Sequence, residues 1–102
     1  MNTSQPFVAL VIYPTTEESQ ARHADNLAGL VSRKLEALPG LLRARVLLSE
    51  DGESLVTITE WRDRESFQAF RESDFARAAS ALMAELHPKS FWLRQHVALG
   101  AP

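Results

Sequence analysis

The segment Ser54–Phe70, SLVTITEWRDRESFQAF, reads as a strand that ends in a tryptophan and passes at once into a helix. Leu55, Thr57, Thr59 and Trp61 alternate with Val56, Ile58 and Glu60. In a pleated strand these two sets face opposite sides of the sheet. The Val56 and Ile58 set is apolar until the strand's end and suits a core. The other set carries two hydroxyls and an indole, which suits a partly wet cleft. Asp63 has the chemistry of a helix N-cap, with Phe67 and Phe70 as the helix's first apolar positions.

Upstream, Pro6–Tyr13 (PFVALVIY) is a short apolar run stopped by Pro14, as expected of a buried strand. Thr15 and Glu18 have capping-box spacing. The helix they open keeps apolar positions at Leu27, Leu30, Val31, the Lys34 stem, Leu35 and Leu38, until Pro39-Gly40 ends it. Leu41–Leu48 (LLRARVLL) reads as a second strand, with Leu42, Ala44, Val46 and Leu48 on one face and Arg43 and Arg45 on the other. Asp51-Gly52 is the turn signal of the hairpin into Ser54–Trp61.

Downstream, a helical region spans Asp63 to about Glu85. Ser73-Asp74 interrupts it, because both residues favour caps over helix interiors. Phe75, Ala79, Leu82 and Leu86 form the face beyond the break. His87-Pro88 ends the region, and Lys89–Leu99 is the fourth strand.

The order β-α-β-β-α-β is the ferredoxin-like pattern: an α+β fold with a four-stranded antiparallel sheet. Right-handed crossovers place both helices on one face of the sheet. The other face, with Leu55 and Trp61 expected on it, is left bare. A second copy related by a two-fold axis is the simplest cover, so a homodimer is expected through the open sheet face.

The chain has 102 residues, which implies a single domain, residues 1–102 with a core of about 6–99. It is 45% hydrophobic and 24% charged with net charge -2, a globular composition without the basic excess that nucleic acid or an anionic membrane would want. It has no cysteine, hence no disulfide, thiolate or metal-thiolate chemistry. The longest apolar run, Phe7–Ile12, is far short of a membrane span, and MNTSQPF lacks the features of a signal peptide. The expected setting is cytoplasmic.

The element order, SLVTITEW with the RDRESFQAF that follows, and the PKSF that opens the last strand resemble the antibiotic biosynthesis monooxygenase family, whose members are dimeric α+β barrels. The resemblance runs from Pro6 to Leu99. It implies oxygenation of a small aromatic substrate (phenol, anthrone or quinol) with dioxygen and no cofactor. Among its branches the chain looks most like the anthrone monooxygenases of polyketide pathways. Those pair the tryptophan with an asparagine on the same strand face and carry a tyrosine near the next helix start. Here Trp61 matches, but Thr57 stands at the asparagine position and Phe67 at the tyrosine position. The haem-degrading branch uses a helix histidine as iron ligand. Ser80 stands there, and serine is a poor axial ligand. The small quinol monooxygenases remain a further branch.

In such chemistry an electron-rich substrate loses a proton and its carbanion reduces dioxygen. The protein supplies an apolar slot, donors for the developing charge, and exclusion of water. Trp61 and Thr57 are the candidate catalytic residues, and Thr59, Phe67, Phe70, Phe75, Arg77 and His96 are candidates for binding substrate. Each also has a structural reading: Trp61 in a core or interface, the threonines as strand formers, the phenylalanines as core, Arg77 as a solvated or ion-paired side chain. His96 shares strand parity with Trp92 and has a pKa suited to a general base. The histidines have no metal-ligand spacing, so no metal is expected. The rival to an enzyme is a non-catalytic dimeric barrel that binds a small hydrophobic ligand. An isomerase or cyclase on the same barrel is a third possibility.

Overall fold

The computed structural model describes residues 6–34 and 38–100. Its elements are β1 (Phe7–Pro14), α1 (Gln20–Lys34), β2 (Leu41–Leu48), β3 (Ser54–Trp61), α2 (Arg64–Arg71), α3 (Asp74–Met83), a 3-10 turn (Ala84–Leu86) and β4 (Lys89–Arg94). The strands form one sheet in the order β2-β3-β1-β4, with every neighbouring pair antiparallel. This is the ferredoxin-like α+β fold, with the second helical region divided in two. Among the described residues, no helix is long and apolar enough to cross a membrane.

The division falls where the sequence places it. Asp63 caps α2, accepting from Ser66 N, and Ser73 caps α3, accepting from Ala76 N. Helix α1 is capped differently from expectation. Thr16 and Ser19 form the reciprocal pair: Ser19 N donates to Thr16 Oγ1 at 3.2 Å and Thr16 N to Ser19 Oγ at 3.1 Å. Thr15 instead donates its hydroxyl to Gly52 O at 2.9 Å, tying the chain to the β2–β3 hairpin. Gln20 adds to that tie by donating to Ser54 O at 2.7 Å and Ser49 O at 3.0 Å. Leu35 and the Lys34 stem lie outside what is described, and Leu38 is already past the helix.

Strand β3 faces the opposite way from expectation. Leu55 and Trp61 are 0% and 1% exposed and lie under the helices. Leu55 packs with Ala24 and Leu27 of α1 and Met83 of α3, and Trp61 packs with Ala9 and Phe67. The open face therefore carries Val56, Ile58 and Glu60. Pattern alone misassigns the faces because both are largely apolar; what decides the side is the helix packing.

Three further differences have local causes. A bulge in β2 falls between the pairs Leu41–Trp61 and Arg43–Glu60, so Leu42 is the extra residue. Leu42 is 61% exposed, while Leu41 takes its place against Trp61. In α3 the inward row is Phe75, Ala79 and Met83 at steps of four, leaving Leu82 exposed and Met83 buried. Strand β4 ends at Arg94 because its partner β1 begins at Phe7, opposite it. Among the described residues no strand pairs with β4 beyond that point, and His96 lies off the sheet.

Candidate functional site

Two small cores lie under the helices. One is centred on Leu55, Leu27 and Met83, the other on Trp61, Phe67 and Ala9. Between them is a cavity of about 600 Å³. Its floor is the inner face of the sheet: Ala9, Val11 and Tyr13 of β1, Thr57 and Thr59 of β3, and Ser90 and Trp92 of β4. Phe67, Phe70 and Arg71 of α2, α3 and part of α1 close the other side. The space exists because the facing positions are small. Helix α3 offers Ala76, Ala79 and Ser80 to the wall, and Ala9 stands opposite on the sheet. Interiors fill to near crystal density, so a patch of alanines under a helix leaves room unless larger neighbours collapse into it.

The aromatic wall is a continuous stack. Trp61 lies 5.0 Å from Phe70 and 5.7 Å from Phe67, measured between ring centroids, and Phe67 meets Trp92 edge-on at 5.4 Å. Phe75 extends it at 6.1 Å from Phe70. These are the tilted and edge-to-face geometries that aromatic quadrupoles favour.

Trp61 is not among the residues that line this cavity. It sits behind the wall, and its indole N–H donates to Thr59 Oγ1 at 2.8 Å. A hydroxyl that accepts one hydrogen bond still has a proton to give. Thr59 does line the cavity, so the indole fixes the threonine and the threonine meets whatever occupies the space. Thr57 lines it as well, beside Tyr13. Burial pushes the Tyr13 phenol above its ordinary value, and the Thr57 hydroxyl pulls the other way without offsetting it. The phenol is thus a donor at neutral pH, not a base.

Of the candidate binding residues, Phe67, Phe70, Phe75 and Arg77 line the cavity with Thr57 and Thr59. His96 does not; it is exposed beyond the end of β4. Among the described residues, no histidine, aspartate or glutamate lines the cavity. Among the described residues, no group of three or more His, Cys, Asp or Glu is placed to hold a metal ion. Tyr13, Arg71 and Trp92 were not singled out from the sequence. Tyr13 was legible in principle, since strand alternation puts it on the face of Ala9 and Val11. The uninterrupted apolar run hid that alternation.

The model of the antibiotic biosynthesis monooxygenase family matches residues 6–82. The chain belongs to that family. Solved structures agree in fold. The Streptomyces coelicolor monooxygenase ActVA-Orf6, in complex with nanaomycin D, superposes with a TM-score of 0.85 at 21% identity, over 96% of this chain and 94% of that one. NE2512, a protein of unknown function from Nitrosomonas europaea, gives 0.75 at 20% identity, over 99% and 100%. Rv0793 from Mycobacterium tuberculosis gives 0.73 at 18%, over 94% and 97%. Among curated proteins none matches by sequence at a significant level. Within the family pattern, this member has Thr57 and Phe67 on the cavity wall where the anthrone-type resemblance leads one to expect an asparagine and a tyrosine.

Proposed function

We propose that this chain is a monooxygenase that oxygenates a small aromatic substrate (a phenol, anthrone or quinol) with dioxygen and without metal or flavin. Family membership supports an oxygenase. The observation that carries the finer reading is the cavity itself: an aromatic-walled slot of about 600 Å³ with hydroxyl donors on its floor and, among the described residues, no acidic residue in its lining. Such a lining stabilises an anion. A substrate enolate or phenolate is favoured when fixed donors meet its oxygen.

Thr59 is the donor best fixed in place, through its bond from Trp61. Tyr13 is the second. With no carboxylate or histidine in the wall among the described residues, the substrate's own acidity carries deprotonation. The carbanion then gives its electrons to dioxygen. For an anthrone methylene the balance is CH2 plus O2 to C=O plus water.

We also assign a homodimer to the open sheet face. By register that face carries Val8, Leu10, Ile12, Val56, Ile58 and Leu93, bordered by the charged Arg43, Arg45, Glu60 and Lys89. A contiguous apolar sheet surface of this kind is unusual on a monomer.

The test is oxygen uptake with an anthrone in buffer free of flavin and treated with chelator. Turnover that falls at least about tenfold in Thr59→Val matches the loss of one donor to a developing anion. The absence of a base in the wall favours one alternative, a binding protein. Tight binding of anthraquinone with no oxygen uptake from any anthrone or quinol would establish that reading instead.

A further inference from the structure

The cavity's lining includes two arginines, Arg71 and Arg77, and, among the described residues, no carboxylate. This contrasts with a chain that carries 13 acidic and 11 basic residues. The positive charge gathers at one end. The Arg71 guanidinium carbon lies 4.7 Å from the centroid of the Trp92 ring, and that of Arg64 lies 5.3 Å from it. Arg64 and Arg71 are two turns apart on α2, so they project along the same line of the helix. Arg94 follows Trp92 on the same face of β4.

Among the described residues, none of these four arginines has a carboxylate within ion-pair distance; the salt bridge present is Arg62–Asp63. Two guanidinium groups over one indole repel each other, and a nearby acid would relieve that. Among the described residues, no acid forms an ion pair with either of them. A planar fork of donors suits a carboxylate, which it binds in bidentate fashion. Trp92 and Arg71 both line the cavity, so an anion seated on them would be continuous with a ring lying in the slot.

We infer that the ligand of this cavity is an aromatic acid, a flat ring system whose carboxylate is held by Arg71 and Arg64 at the Trp92 end. Arg77 adds positive potential from the α3 wall. This rests on the reading that the cavity takes an aromatic molecule, and it adds the chemical class.

The full chain is titrated with anthraquinone-2-carboxylate and with anthraquinone-2-carboxamide, at neutral pH and low salt, by isothermal calorimetry. The carboxylate is expected to bind about tenfold tighter, the gain typical of a charge-assisted pair. In Arg71→Gln the preference falls below about threefold while the carboxamide affinity holds within about twofold. Arg22→Gln, on the exposed side of α1, leaves both unchanged. Equal affinity for the two probes, or a preference that survives Arg71→Gln, overturns the acid assignment and leaves the aromatic cavity standing. Binding of neither probe removes the aromatic reading, and the acid assignment with it.

Discussion

Trp61 and Thr59 form a side-chain pair two residues apart on one face of β3, with the indole N–H donating to the threonine hydroxyl at 2.8 Å. The donor belongs to a ring that is 1% exposed; the acceptor belongs to the cavity wall. Thr59→Val leaves a buried N–H without a partner, which costs about 1–3 kcal/mol. Trp61→Phe removes that donor and some volume, for a loss of similar size. The two changes share one bond, so a double-mutant cycle by urea unfolding gives a coupling of about 1 kcal/mol. Additive losses would mean that the bond contributes nothing in solution.

The phase of α3 is tested by two neighbouring residues. Met83 is 2% exposed and packs on Leu55, whereas Leu82 is 47% exposed. Met83→Ala is expected to cost about 2–5 kcal/mol, since the rigid neighbours Leu55 and Leu27 cannot fill the gap. Leu82→Ala stays within about 0.5 kcal/mol. The reverse ranking in chemical denaturation would put the helix one step out of phase.

Alanines explain the cavity, and they also make it easy to close. Ala79 faces the space from α3. Ala79→Leu adds apolar volume where room exists, so unfolding stability holds or rises slightly, unlike overpacking in a filled core. Binding of an aromatic ligand falls by at least about tenfold, because the slot that takes the ring is occupied. A large loss of stability with binding retained would show that Ala79 lies against the core and not against open space.

How much of this was legible in the chain follows from where the information sits. Turn and cap chemistry is local, so the Asp51-Gly52 hairpin, the Asp63 and Ser73 caps and the limits of β2 and β3 follow from short segments. Gly52 shows why: it adopts φ 78°, and a Cβ there would lie 2.9 Å from Glu17 Cα. Which face of β3 meets the helices is not local. Val56 and Ile58 are as apolar as Leu55, and only packing against Leu27 and Met83 distinguishes them. The same limit applies to the site. Trp61 was legible as unusual, but its place behind Thr59 depends on which way the sheet turns. Arg71 and Trp92 meet only because α2 lies over β4, and no spacing in the sequence encodes that.

Acid stability turns on the cap of α2. Ser66 donates its hydroxyl to Asp63 at 2.7 Å and its backbone N–H at 2.8 Å, and Arg62 adds an ion pair at 3.2 Å. These bonds, led by the Ser66 hydroxyl, hold the Asp63 carboxyl below its usual range. Asp51 is lowered in the same way, by Ser49 first and the Glu53 N–H second. A depressed folded pKa stabilises the fold above the unfolded value of about 4, and that contribution is lost as pH falls through the folded value. The urea midpoint is therefore expected to drop below about pH 4. Asp63→Asn keeps a cap acceptor but does not titrate there, so its midpoint falls less over the same range. Parallel curves for the two proteins would remove Asp63 from the acid response.

The open sheet face gives the last expectation. Ile58 lies near its middle, paired with Leu10 on β1 and Arg45 on β2. If a second copy covers this face, Ile58→Arg places a charge inside the interface beside Arg45 of its own chain. Like charges across adjacent strands repel, and burying one without a partner is costly. The substitution points away from the helices, so Leu55, Trp61 and the cavity keep their packing. Sedimentation equilibrium is then expected to show wild type at twice the chain mass and Ile58→Arg at the chain mass, with a circular dichroism spectrum that stays folded. A wild-type chain that sediments as a monomer at micromolar concentration would leave the apolar face without its partner and remove the dimer from the proposed function.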